Sequence, residues 1–263
     1  MSNFKKQIRL VAGSLLLLSF SSAYSVTVCA VGCAETTIAN GIISTPVGGT
    51  VQLLDASYNE SGLIINKSLR ILGKPGKSTI DAAGADRIFK VVSPATGVTF
   101  DRLKLLNGSV GGAIGGGAIS VEYGDVTVRR TLLRNNSSGG LGGAIALGSG
   151  THLETSLSTF DSNTAGEGGA ISCKNCTILR LSKTLLKNNA AIATDGGAIY
   201  AIRDDGLFGG YIYIDHSRLA NNSASDGGAI YIEDTNLDVD KATFANDSAE
   251  NQGVAIRAHS NSI

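Results

Sequence analysis

A tetrad of small and apolar residues, Gly-Gly-Ala-Ile, recurs along most of this 263-residue chain and constrains its fold more than any other feature. Copies begin at positions 111, 116, 142, 168, 196 and 227, and a degraded Gly-Val-Ala-Ile begins at 253. The second residue of the tetrad stands at 117, 143, 169, 197, 228 and 254, in steps of 26, 26, 28, 31 and 26 residues. Because such a period marks a solenoid, each coil is expected to bury its apolar face against its neighbours.

A second tetrad lies upstream of the glycines in each period and has an apolar residue followed three positions later by Asn or Asp. Its five copies begin at Leu133, Phe160, Leu186, Leu219 and Phe244. Asn tolerates left-handed backbone torsions and Gly adopts them freely, so both tetrads are expected to form corners of the coil. Short alternating segments between the corners, such as 236–240, have the period of strands. We therefore predict an all-β, right-handed parallel β-helix with two or three strands per coil, stacked about 4.8 Å apart.

Aligned coils place apolar residues in columns that are predicted to face the core. One column holds the isoleucines of the tetrads at 119, 145, 171, 199, 230 and 256. Two further columns hold Val126, Leu153, Leu179, Ile212 and Leu237, and Val128, Thr155, Leu181, Ile214 and Val239. Each isoleucine should contribute about 1.5–3 kcal/mol on burial.

The chain divides into three segments by composition. Residues 1–25 have the charged start and short apolar run of a secretory signal, and that run is too short to span a bilayer. Residues 26–97 are predicted to form a cap, with a helix over 35–44 and irregular first coils, and residues 98–263 the regular coils. Lys+Arg and Asp+Glu balance at 22 each, so nothing in the net charge favours nucleic acid as a partner.

Four cysteines occur as two local pairs, Cys29 with Cys33 and Cys173 with Cys176. In an exported chain, two local disulfides are the natural interpretation. Zinc is a rival that the distance of about five coils between the pairs disfavours. Cys173 falls in an inward column, so a buried Cys173 thiol beside an exposed Cys176 is the alternative to a bridge.

The paired tetrads at this spacing resemble those of the chlamydial polymorphic outer membrane proteins and related β-helix passenger domains, over about residues 98–258. The resemblance implies an exported, surface-exposed β-helix. Three of the upstream tetrads have Leu where that family has Phe, and the last ends in Asp247. The outer-membrane barrel that follows the passenger in that family is not expected in this chain. The predicted helix followed by irregular coils is similar to the opening of pectate-lyase-like β-helices.

That second similarity raises an enzymatic alternative, a polysaccharide lyase or glycoside hydrolase. Asp215 and Asp240 share a column in adjacent coils, with His216 and Asp238 nearby. Stacked carboxylates about 5 Å apart can act as an acid and nucleophile pair or hold calcium. A solvated sheet face, with Lys183 and Lys241 in the adjacent column neutralising the acids, is the favoured interpretation, and calcium is expected only under the enzymatic alternative.

Clustered tyrosines indicate a binding surface for a protein or glycan on a cell surface. Tyr200 and Tyr231 follow the tetrads of adjacent coils and are predicted to stack outward, with Tyr211 and Tyr213 outward on the next strand. The 31-residue step places an insertion beside them, on which Arg203 and Phe208 are predicted to be exposed. Alternatively, the tyrosines only cover a flat sheet.

The function predicted from the sequence is therefore that of a secreted or cell-surface, adhesin-like recognition module. A purely structural surface spacer is a further alternative. Nothing after residue 254 is predicted to cover the last coil, so end-to-end self-association through its strand edges is also expected.

Overall fold

From β2 (Thr50–Leu53) onward, strands that follow each other along the chain do not pair with each other; each pairs in parallel with the equivalent strand one coil later, and β1 (Ser25–Val28) also pairs in parallel with β2. A computed structural model describes this arrangement for residues 24–112, 115–205 and 210–259. Four sheets result, and the regular coil visits all four in turn. The predicted parallel β-helix is confirmed, and its right-handed sense stays a prediction. The expected two or three strands per coil were too few, because a short strand also forms at the corner between the two tetrads.

The strands within the described ranges fall into these four sheets. The first sheet contains β1 (Ser25–Val28), β2 (Thr50–Leu53), β5 (Leu69–Leu72), β8 (Gly97–Asp101), β12 (Asp125–Arg129), β16 (His152–Ser156), β20 (Ile178–Ser182), β24 (Gly210–Asp215) and β28 (Thr235–Asp240). The second contains β3 (Ser57–Tyr58), β6 (Ser78–Asp81), β9 (Leu103–Leu106), β13 (Leu132–Arg134), β17 (Thr159–Asp161), β21 (Leu185–Lys187), β25 (Arg218–Ala220) and β29 (Thr243–Ala245). The third contains β4 (Leu63–Ile65), β7 (Phe89–Val91), β11 (Ile119–Val121), β15 (Ile145–Leu147), β19 (Ile171–Lys174), β23 (Ile199–Ile202), β27 (Ile230–Glu233) and β31 (Ile256–His259). The corner sheet, between the second and the third, contains β10 (Ser109–Val110), β14 (Ser137–Ser138), β18 (Thr164–Ala165), β22 (Ala190–Ala191), β26 (Ser223–Asp226) and β30 (Ser248–Gln252).

The predicted inward columns form the core. The tetrad isoleucines from Ile119 to Ile230 are fully buried and pair in register between coils. In the two upstream columns the members from β12 to β24 are also buried, whereas the members in β28, Leu237 and Val239, are partly exposed. Inward residues recur at every second position of a strand, so one register error would expose a whole column.

The Asn of the upstream tetrad has a different role from the one expected. The left-handed torsion belongs to the residue before it, as in Asn188 with φ 55°. Asn189 itself is fully buried; its Nδ2 donates to Oδ1 of Asn222 at 3.0 Å and to the carbonyl of Phe160 at 3.2 Å. The same bonds recur at Asn136, Asn163 and Asn222, so a ladder of amides runs through the corner of five successive coils and ends at Asp247.

The paired glycines form the next corner, as predicted, and each glycine is needed for a separate reason. Gly168 has φ 65°, a torsion that residues with a Cβ rarely adopt. A Cβ at Gly169 would lie 2.3 Å from the carbonyl oxygen of Gly197 in the next coil. The corner is therefore closed tightly by backbone packed against backbone.

Helix α1 (Ile38–Ser44) lies over the first coils and is shorter than the predicted 35–44. Glu35 is not helical because its backbone N–H and carbonyl bond with β1. Ile38 and Ile42 are buried as expected, whereas Ile43 is 74% exposed. The amide N–H groups of Ile38 and Ala39 donate to the Glu60 carboxylate at 2.7 and 3.2 Å, which stabilises the start of the helix.

The cysteines form the two local disulfides, Cys29–Cys33 and Cys173–Cys176. The alternative of a buried Cys173 thiol beside an exposed Cys176 was wrong: Cys176 is 1% exposed, because the bridge draws it against the core beside Cys173. Disulfides of this kind persist in oxidising compartments. Residues 1–23, which include most of the predicted signal, lie outside the described residues. None of the helices in the described ranges is long and apolar enough to cross a membrane.

Candidate functional site

Tyr200 and Tyr231 lie side by side on the outer face of the third sheet. They are register partners in β23 and β27, and their rings stack with centroids 5.6 Å apart and planes at 23°. The predicted stacking is thus present. The predicted exposure of both rings is wrong for Tyr200, which is only 8% exposed, whereas Tyr231 is half-buried.

Tyr200 is buried because the glycine corner of the preceding coil comes against it. A Cβ added to Gly168 would lie 3.0 Å from the Cβ of Tyr200. The same column is buried in earlier coils, where it holds Ser120, Ala146 and Ser172. The glycine corners therefore cover this column of the outer face, and we name the strip of the third sheet beside the corners the trough.

Carboxylates line this trough at positions that the sequence analysis missed. Glu167, Asp195 and Asp226 stand directly before the paired glycines of three successive coils. Asp195 and Asp226 form a parallel bridge between coils, so these residues stack along the solenoid. Glu233 follows on β27 and accepts a 3.5 Å hydrogen bond from the Tyr231 hydroxyl. We name Tyr200, Tyr231, Glu167, Asp195, Asp226 and Glu233 the tyrosine–acid cluster.

The charges of the tyrosine–acid cluster act on one another. Burial first, and then the neighbouring Asp226 and Glu167, raise the pKa of Asp195 to about 6. Burial also raises the pKa of the Tyr200 hydroxyl, with Glu167 next in effect. Arg257, the register partner of Tyr231, partly offsets the negative charge. Lys174, which pairs with Asp204 at 2.8 Å, also attracts Glu167. Among the described residues the four carboxylates outnumber these cations, so the cluster is negative near neutral pH.

The other predicted binding residues lie elsewhere. Tyr211 and Tyr213 face outward on β24 of the first sheet, with parallel rings 5.9 Å apart, and the Arg180 guanidinium lies 4.5 Å from the centre of the Tyr213 ring. Arg203 is not exposed as expected: its side chain is 11% accessible because it pairs with Asp205 at 2.8 Å. Phe208 lies outside the described residues. The predicted tyrosines therefore lie on two different sheets, and the predicted binding residues that the structure describes do not form one surface.

The residues of the enzymatic alternative do come together. Asp215 and Asp240 are register partners, and their oxygens and one ring nitrogen of His216 lie within 4.8 Å of one another. His216 Nδ1 lies 2.5 Å from Asp215 Oδ1, and this bond lowers the pKa of Asp215. Lys241 pairs with Asp240 at 3.2 Å. An ionised carboxylate on an exposed strand is a poor proton donor, although calcium could bind such oxygens.

A cleft of about 720 Å³ lies at the other end of the molecule, beside α1. Its lining includes Ile42, Ile43, Glu60 and Lys67. Glu60 holds the start of α1, and Lys67 donates to the Ile43 carbonyl at 2.9 Å. Both charged groups of the lining therefore serve the cap, and Asn59, Ser61 and Asn66 are its other polar residues.

Comparison with known proteins agrees with the repeat structure. Residues 158–174 and 217–233 match the model of the Chlamydia polymorphic membrane protein (Chlamydia_PMP) repeat. Both stretches contain an upstream tetrad and the paired glycines that follow it, and the second includes Tyr231. No curated protein and no solved structure matches the chain. The chain therefore carries repeats of the Chlamydia polymorphic membrane protein type, built into a parallel β-solenoid.

Proposed function

We propose that this protein is an exported, surface-exposed recognition module of the adhesin type that binds its partner through the tyrosine–acid cluster. The observation that carries the proposal is the stacked pair Tyr200–Tyr231 beside four carboxylates on the outer face of the third sheet. Tyrosine supplies large contact area with a polar tip, and it is enriched where proteins bind partners.

The scaffold supports this role. The cluster spans β19 to β27, in coils whose inward residues are fully buried, so its side chains are presented from a rigid surface. Two disulfides fit an extracellular location, and the matched repeat belongs to proteins described as membrane proteins of Chlamydia. A recognition role is favoured over catalysis because the Asp215–His216–Asp240 group is exposed and already paired.

The test uses the chain without residues 1–25, labelled with a fluorophore, and measures its binding to cultured epithelial cells by flow cytometry. Tyr231→Ser is the informative variant, since Tyr231 is half-buried and its replacement leaves the core intact. We expect saturable binding by the parent protein and a loss of affinity of about tenfold in the variant, as for a central aromatic contact.

Tyr211→Ser is the matched control, because Tyr211 is 45% exposed on another sheet. It should bind as the parent does, and both variants should melt at the parent's temperature. Absence of saturable binding by the parent would overturn the proposal, and so would equal binding by the two variants. The first result would favour a structural spacer.

A further inference from the structure

We infer that the tyrosine–acid cluster recognises a cationic segment of a protein partner, with an arginine or lysine side chain entering the trough. This inference rests on the proposed function and specifies the chemistry of its ligand. Acidic glycans, which the sequence alone left open as partners, are disfavoured by the carboxylates of the same cluster.

The stacking of the acids points to a cation. Parallel coils lie about 4.8 Å apart, so the carboxylates of Asp195 and Asp226, bridged in adjacent coils, are held near one another. Glu167 adds a third carboxylate on the coil before them. Like charges held this close disfavour ionisation, and the pKa of Asp195 rises to about 6, first through burial and then through these neighbours. A cation supplied from outside would relieve this repulsion.

Two buried hydroxyls are a separate indication of a ligand. Ser172 is fully buried, its Oγ has no hydrogen-bond partner, and its side chain points to the same side of the third sheet as that of its register partner Tyr200. Oγ1 of Thr194, next to Asp195, is also buried without a partner. Buried hydroxyls are nearly always hydrogen-bonded. A guanidinium or ammonium group in the trough could donate to them.

The shape of the cluster favours an organic cation over a metal ion. Within the described parts of the chain, one group of three potential metal ligands gathers within 4.8 Å, and that group is Asp215, His216 and Asp240. The carboxylates of the tyrosine–acid cluster are therefore too dispersed for three of them to hold one ion. A planar guanidinium can contact two carboxylates and lie over the half-buried ring of Tyr231, an arrangement that adds cation–π attraction.

The test measures binding of acetylated, amidated hexa-arginine to the chain without residues 1–25 by isothermal titration calorimetry. The variant Asp195→Asn with Asp226→Asn keeps the shapes of both side chains and an acceptor oxygen at 226, which receives the Gln252 N–H. We expect its affinity to fall about tenfold or more, since charge-assisted hydrogen bonds are lost. The control is Glu154→Gln with Asp238→Asn, two exposed acids on the first sheet, and it should bind as the parent does.

Affinity should also fall as Asp195 is protonated, between about pH 7.5 and about pH 5, and less so in the double variant. Equal binding by variant and control, or binding of hexaglutamate as well, would overturn the inference. If the parent binds cells and Asp195→Asn with Asp226→Asn binds them equally, the inference fails while the proposed function stands. If hexa-arginine binds at the cluster but cells do not, the proposed function fails.

Discussion

Apolar residues of the inward columns are buried more completely at the N-terminal end of the solenoid than in the last described coil. At the N-terminal end α1 lies over the first coils, and Val28 and Val51 are fully buried beneath it. In the last described coil, Phe244 and Ile256 are only partly buried, and Val239 is 38% exposed. Equivalent residues one coil earlier are buried. The edges of β28, β29, β30 and β31 also end the four sheets, and self-association through them stays a prediction.

This contrast shows that the burial of a side chain in a solenoid depends on the neighbouring coils as well as on its own coil. A side chain in an inward column is covered by its own coil and by the coils on both sides of it. An apolar residue in the last coil therefore stabilises the fold less than the same residue in the middle. The three predictions that follow compare matched positions along this gradient.

The largest difference is expected between charges placed in the middle and in the last coil. Ile171→Asp should lower the free energy of unfolding by about 4 kcal/mol or more, because a buried carboxylate would have no partner. Ile256→Asp should cost about 1 kcal/mol, since Ile256 is half-buried. Urea unfolding followed by circular dichroism measures both. Similar losses would mean that the last coil is packed as firmly as the middle.

The amide ladder offers a comparison with an expected effect of intermediate size. At its last position Asp247 has a carboxylate oxygen where the preceding coils have the side-chain NH2 group of Asn. Asp247 Oδ1 accepts from Asn222, but Oδ2 is buried without a partner, where an amide would donate to a carbonyl of the preceding coil. Asp247→Asn should therefore stabilise the protein by about 1 kcal/mol at neutral pH. The reciprocal change, Asn189→Asp, should destabilise it by about 2 kcal/mol.

The sign of the pH dependence provides the control. Burial raises the pKa of Asp247 in the folded protein above its usual 3.8, so the folded state binds the proton more tightly than the unfolded state. The destabilisation by Asp247 is absent below about pH 3.8 and grows as the pH rises through the folded pKa. The gain from Asp247→Asn should vanish in acid. A gain that is the same at all pH values would contradict this origin.

The smallest effect concerns the cap. Glu60→Gln removes the charge that accepts from the first N–H groups of α1 and should cost about 1 kcal/mol. Glu122→Gln is its control, because Glu122 forms an exposed pair with Lys90 and such pairs contribute about 0–1 kcal/mol. Hydrogen exchange should speed up in 38–44 only in the first variant. Unchanged exchange there would show that α1 is held by its apolar contacts alone.

Much of the fold could be predicted from the sequence because the repeat is periodic. The tetrad isoleucines, the paired glycines and the register of Asp215 with Asp240 follow from counting residues, since strands of equal coils must align. The stacking of Tyr200 on Tyr231 follows from the same count.

The period of the repeat did not predict which neighbouring groups cover each outward side chain, and the wrong predictions concern these side chains. Tyr200 and Arg203 were expected to be exposed, and they are covered by a corner and an ion pair. The alternative of an exposed Cys176 also fails, because the disulfide buries it. The acids before the paired glycines were visible in the sequence as Glu167, Asp195 and Asp226, but nothing in the chain order placed them beside the tyrosines.

The sequence by itself determined the solenoid, its repeat length and the side of the strand on which each residue lies. These follow from local rules, the alternation of strands and the torsions that Gly permits. Only the tertiary structure decided that the outer face of the third sheet becomes an acidic trough. The reason is that a corner is stacked against a strand of the next coil, about 30 residues away, and that contact has no local signature.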